Sequence, residues 1–144
     1  METKRYSLVR PTIQTPFRID FAWWQQNDRD WHVYLSGLLC PAHQELFGKP
    51  GFLLTVDQVD PETAEVKQVD GIQYILINHC ARQEGFITQY TALVDAIFRL
   101  FLVNGNTSMT PTELALVLNR PAETILKMLT GGRVYKGVRP YQEN

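Results

Sequence analysis

A chain of 144 residues with 44% hydrophobic and 20% charged side chains can bury a real core, as one domain or two small lobes sharing an interface, which excludes disorder over most of its length. No apolar run reaches the roughly 18 residues of a membrane span, and the Met1-Glu-Thr-Lys-Arg-Tyr6 start has no apolar stretch of the signal-peptide kind, so a cytoplasmic protein with no membrane partner is expected. The net charge of −1 conceals sorting: residues 1 to 18 carry +3 through Lys4, Arg5, Arg10 and Arg18 against Glu2, residues 119 to 144 carry +3, and the middle carries −7. Two basic ends of this kind suit a polyanion, while an acidic body suits solvent or a different partner.

Pro11 and Pro16 break any periodic pattern in the first 19 residues, which read as an extended basic arm. Asp20 is placed to cap a helix. From there Phe21, Trp24, Trp31, Tyr34, Leu35 and Leu38 recur mainly at steps of three, four and seven, predicting one amphipathic helix to about Leu39. The tryptophans on this stripe are expected to be core aromatics rather than a base-stacking platform. Pro41 ends the helix, and a turn through Glu45 to Phe47 closes at Gly48 before Pro50-Gly51. The runs Phe52-Leu-Leu-Thr-Val56 and Val66-Lys-Gln-Val69, separated by Asp60-Pro61, predict a hairpin or a structured loop. Its acidic residues lack the glycine and terminal glutamate of a calcium loop.

After Asp70-Gly71, residues Ile72, Ile75, Leu76, His79 and Cys80 fall on one helical stripe, which places His79 and Cys80 near the core face. The only two cysteines each accompany a histidine, as Cys40-Pro-Ala-His43 and His79-Cys80. Two thiolates and two imidazoles form a complete ligand set for tetrahedral Zn2+, so a Cys2His2 clamp between distant segments is one reading. The other is two buried cysteines with hydrogen-bonded histidines, since neighbours on a helix diverge by about 100° and strain to reach one ion. A cysteine–histidine pair is also a catalytic possibility, but no nucleophile elbow, His-Glu-x-x-His pattern or phosphate-cradling glycine loop accompanies it. A non-enzymatic protein is expected.

The last third is the best organised. Leu93, Ile97, Leu100 and Phe101 make a deeply packed helix over Thr91 to Val103, stopped by Asn104-Gly105-Asn106. Thr110-Pro111-Thr112-Glu113 is a capping box with proline at the first helical position, and it predicts a helix from Pro111 to Leu118. Pro121 opens a third helix with Ala122, Ile125, Leu126 and Leu129 inward, and Gly131-Gly132 ends it. Alternating basic and apolar side chains over Arg133 to Arg139 then suggest a strand-like ribbon.

On Thr110-Pro-Thr-Glu-Leu-Ala115 and Arg120-Pro-Ala-Glu-Thr-Ile-Leu126, the segment from Thr91 to Tyr141 resembles the winged helix-turn-helix superfamily. The resemblance implies a third helix offering Glu123, Thr124, Lys127 and Met128 outward, flanked by Arg120, and a wing with Arg133, Lys136 and Arg139, directed at duplex DNA. That helix holds a single cation and no residue suited to bidentate base contacts. Two functions therefore stand side by side: a DNA-binding regulator whose N-terminal half senses, dimerises or binds zinc, and a protein-interaction module whose cations meet an acidic partner. The fold class expected is mainly α with minor β: a basic arm over 1–19, an aromatic helical region with a hairpin or loop and a Cys/His clamp over 20–90, and a winged-helix-like region over 91–144.

Overall fold

The computed structural model describes residues 10–47, 49 and 54–141. Glu2, Lys4, Arg5, Gly48, the Pro50-Gly51 turn, Phe52 and Leu53, invoked above, lie outside the described residues. The fold is mainly α with minor β. In chain order it comprises β1 (Phe17–Ile19), α1 (Phe21–Asn27), α2 (Trp31–Ser36), α3 (Pro41–Leu46), β2 (Thr55–Val59), β3 (Val66–Asp70), α4 (Gly71–Asn78), a 3-10 turn (Cys80–Arg82), α5 (Leu93–Val103), α6 (Pro111–Leu118), α7 (Ala122–Thr130) and β4 (Val138–Pro140).

The arm expected over residues 1–19 is extended at its end, but that end is a strand inside the molecule. Phe17 and Ile19 are fully buried. β1 pairs antiparallel with β4 in the register Phe17↔Pro140 and Ile19↔Val138, and on its other edge Phe17 exchanges backbone bonds of 2.8 and 2.9 Å with Met109. Asn106 extends this second edge: its side-chain amide accepts from the Ile19 N–H at 2.9 Å and donates to the Ile19 carbonyl at 2.8 Å. A buried strand must satisfy every backbone group, and here a side chain does part of that work.

The single helix expected from Asp20 to Leu39 is two helices. Asp20 caps the first as expected, accepting from the Trp23 N–H at 3.0 Å. The break comes at Asp28, which adopts extended backbone angles while its carboxylate accepts both the Trp24 indole N–H at 3.0 Å and the Asp30 N–H at 2.9 Å. A short acceptor that competes with the helix backbone in this way ends a helix that hydrophobic spacing alone would continue. The segment after Cys40 also differs: Pro41 starts α3 at its first position instead of merely ending the previous helix.

The hairpin is present, shifted to Thr55–Val59 against Val66–Asp70 with Val59 opposite Val66. The capping box at Thr110 and Glu113 is formed in both directions, and Asn119 turns in the left-handed conformation between α6 and α7. The ribbon over Arg133 to Arg139 is not a continuous strand, because Lys136 and Gly137 take left-handed backbone angles, so only Val138–Pro140 pairs, and with β1 rather than a neighbouring wing strand.

One hydrophobic core joins all three expected regions. It includes Phe17, Trp24 and Leu35 from the N-terminal part, Ile72, Leu76 and Cys80 from the middle, and Phe98, Phe101, Leu114, Ile125 and Val138 from the last third. Trp24 lies at its junction, in edge contact with Trp31, Tyr34 and Phe98 at 5.8, 5.9 and 5.5 Å between ring centroids. The tryptophan stripe is thus core, as expected.

Gly137 approaches this ring at φ +80°, and a Cβ there would sit 2.8 Å from Trp24 Cβ and 3.1 Å from the Asp20 carbonyl oxygen. Gly137→Ala is therefore expected to lower unfolding free energy by about 2–4 kcal/mol in urea titration, combining backbone strain with overpacking. Asp28 gives a pH signature. The Asp30 N–H and the Trp24 indole hold its carboxyl below the ordinary range. Comparing the native chain with Asp28→Ala, the stability difference should be full above about pH 4 and fade as the pH falls through the depressed folded value.

Candidate metal centre

The chain leaves the α-helix between His79 and Cys80, and this decides the geometry of the Cys/His group. α4 ends at Asn78; His79 closes it with φ −135° and ψ −65°, and Cys80 begins the 3-10 turn. The helical stripe expected to bury both residues therefore holds only for Cys80, while His79 is exposed. The donor atoms that converge within 4.8 Å of one another are those of Cys40, His43 and His79, and Cys80 falls outside that group.

Facing this corner is the N-terminus of α3. Cys40 precedes Pro41 in extended conformation and is buried, and His43 lies half-buried on the first turn of α3. Cys40 Sγ is 3.2 Å from His43 Nδ1, Cys80 Sγ is 3.6 Å from the same nitrogen, and the Cys40 N–H donates to Cys80 Sγ at 3.3 Å. The His43 and His79 rings meet edge to face with centroids 4.5 Å apart. Donor atoms of Cys40, His43 and His79 all lie within 4.8 Å of one another, so this group can hold a metal ion. Ligands at about 2.0–2.3 Å around a tetrahedral ion stand roughly 3.3–3.8 Å apart. The spacings to both sulfurs are already close to that.

Both cysteines are free thiols. Burial opposes ionisation of Cys40, yet the His43 and Ala42 N–H groups and the Cys80 thiol outweigh it and hold Cys40 below its ordinary value. Burial pushes the Cys80 thiol up, and the neighbouring Cys40 adds to that despite the Cys40 N–H. A metal ion held here would stabilise both thiolates at once. Around the centre, the Gln83 amide lies 3.1 Å from His79 Nε2 and Gln44 donates to the Ser36 carbonyl at 2.9 Å, fixing the ring and the loop before α3.

The basic residues are arranged less uniformly than the sequence implies. On α7, Ile125 and Leu129 are buried while Glu123, Lys127 and Met128 are exposed and Thr124 is half-buried. Arg120 and Arg133, flanking that helix, are exposed, and among the described residues neither they nor Lys127 form an ion pair. Lys136 and Arg139 make contacts within the fold. Lys136 Nζ lies 4.4 Å over the Tyr34 ring, and Arg139 donates to Asp20 at 3.1 Å while its guanidinium covers Trp23.

Several polar contacts had no sequence signal, since each joins residues distant along the chain. The Tyr135 hydroxyl donates to Asp95 and lies 3.5 Å from the Tyr34 hydroxyl; burial and the Asp95 carboxylate hold the Tyr135 phenol far above its ordinary value. His32 pairs with Asp70, the carboxylate that also caps α4. No family model, curated protein or solved structure matches this chain, so its class rests on its own geometry: a mainly α protein with a Cys/His group that can hold a metal ion.

Cobalt is the direct test of this centre, because tetrahedral Co2+ reports its thiolates by charge-transfer and d–d absorption. Stoichiometric Co2+ should give two-thiolate tetrahedral spectra in the native chain. Cys80→Ser should halve the charge-transfer intensity and weaken binding by about 10–100-fold, whereas an unchanged spectrum would exclude Cys80 from the ligand set.

Proposed function

We propose that this chain is a non-enzymatic DNA-binding regulator in which α6, the left-handed turn at Asn119 and α7 present a helix-turn-helix corner to duplex DNA. The observation that carries this reading is the trio of exposed cations without an acidic partner among the described residues: Arg120 ahead of α7, Lys127 on its outer face and Arg133 just beyond it. Cations left unpaired on one element and its flanks supply the counterion-release term that dominates binding to phosphate backbones. The capping box and Asn119 support the corner as a rigid unit.

Zinc at Cys40, His43, His79 and Cys80 is the cofactor we assign to the metal centre, on the softness of two thiolates joined to two imidazoles. Four protein ligands leave no open position, so its role is structural. It ties the start of α3 to the end of α4, whose buried face lies in the common core with α5.

A second reading, a protein-interaction module without nucleic-acid binding, is favoured by one feature: Leu116 and Val117 on α6 are exposed. Titration of duplex DNA at several salt concentrations separates the two. Affinity should fall steeply with salt, and Arg120→Ala, Lys127→Ala and Arg133→Ala should each reduce the slope by about one unit. Lys136→Ala and Arg139→Ala should chiefly lower stability, because their cations are engaged within the fold. Absence of binding at low salt would overturn the DNA reading in favour of the second.

A further inference from the structure

The β2–β3 hairpin is the part of the molecule whose surface matches nothing in its own fold. Its residues alternate across a two-stranded sheet, yet four of the five residues of β2 and three of the five of β3 are exposed. At the open end the directly opposed Val59 and Val66 are 57% and 60% exposed, an apolar pair that burial would normally claim. Around it stand Asp57, Asp60, Glu62 and Glu65 against Lys67 alone. The tip is well built despite its exposure: Asp60 accepts from the Glu62 N–H at 2.8 Å and the Asp60 N–H bonds the Glu65 carbonyl at 2.8 Å. It is a finger with an acidic turn at its tip and the exposed Val59–Val66 pair just below it.

The α6–α7 corner has the opposite character. Leu116 is 82% exposed and Val117 57%, and the same two helices and their flanks expose the cations Arg120, Lys127 and Arg133 against the two acids Glu113 and Glu123, a net positive balance. Apolar surface meets apolar surface and negative charge meets positive. We infer that the partner of the hairpin is a second copy of this chain, whose α6–α7 corner receives it, in a reciprocal two-fold dimer. Two-fold symmetry makes the contact twice with one pair of surfaces, so a patch too small to bind alone is doubled. Charge complementarity sets the register and the partner, and exclusion of water from Val59, Val66, Leu116 and Val117 supplies the attraction.

The dimer hides Arg120 and Lys127. If the corner also binds DNA, as proposed above, the acidic finger competes with phosphate for the same cations, and self-association regulates DNA binding. That consequence rests on the DNA reading; the dimer itself does not.

Sedimentation equilibrium of the full chain, without nucleic acid, tests the inference. At about 20 mM salt the native chain should be dimeric, and at roughly 500 mM it should shift toward monomer as the charges are screened. Glu62→Lys with Glu65→Lys should weaken association by about tenfold or more, as should Arg120→Glu with Lys127→Glu. These four side chains are exposed, so circular dichroism should show both variants folded. Mixing the two charge-reversed variants should restore a one-to-one complex. A native chain monomeric at low salt overturns the inference, as does a dimer indifferent to the hairpin reversal or a mixture that fails to pair. Because no DNA is present, these outcomes stand whether or not the chain binds DNA.

Discussion

Burial of Trp24 is the constraint on which the rest of the structure depends. A tryptophan brings a large apolar surface and one N–H that needs an acceptor when the ring is enclosed. Asp28, four residues on, provides that acceptor, and the geometry that lets it do so also ends α1. The chain then re-enters helix at Trp31, which returns Trp31 and Tyr34 to the edges of the same indole. Phe98 of α5 meets it from the C-terminal region, and the lack of a side chain at Gly137 lets the approach to β4 pass against its Cβ. Filling that space or removing the indole would disturb the N-terminal helices, α5 and β4 together, since close-packed cores transmit volume changes.

The two functional features sit at opposite levels of this construction. The Cys/His group that can hold a metal ion is internal architecture: Cys40 and Cys80 are core residues, His43 is half-buried and His79 is exposed. Its residues come from the start of α3 and from the turn that follows α4. The α6–α7 corner, by contrast, is a surface whose first helix carries a capping box and whose Arg120, Lys127 and Arg133 form no ion pair among the described residues. Rigid presentation of unpaired charge is what both DNA and an acidic protein surface select.

Much of this was legible along the chain because it is local. The helical stripes at Ile72–Leu76, Leu93–Phe101 and Ala122–Leu129, the capping boundary at Thr110–Glu113 and the cap at Asp20 depend on spacings within one or two turns, and each is found where the spacing places it. The association of Cys40 and His43 with His79 and Cys80 was legible as chemistry, since four soft and borderline ligands in pairs suggest convergence whatever the fold. The residues that failed prediction failed for a physical reason: Asp28 could end a helix only because Trp24 was buried, and hydrophobic spacing contains no record of that hydrogen bond.

The sequence by itself determined the fold class, most helix positions, the hairpin and which residue types could hold a metal, because propensity, periodicity and ligand chemistry act over short spans. Tertiary structure alone decided that Phe17–Ile19 becomes a buried strand of a two-stranded sheet with β4 rather than part of an extended arm, with Met109 and the Asn106 side chain bonding its other edge. It also decided that Lys136 and Arg139 spend their charge on Tyr34, Trp23 and Asp20 while Arg120, Lys127 and Arg133 remain exposed. These outcomes join residues about 100 positions apart. A cation's availability depends on what the fold brings beside it, and that neighbour is fixed only when the core closes.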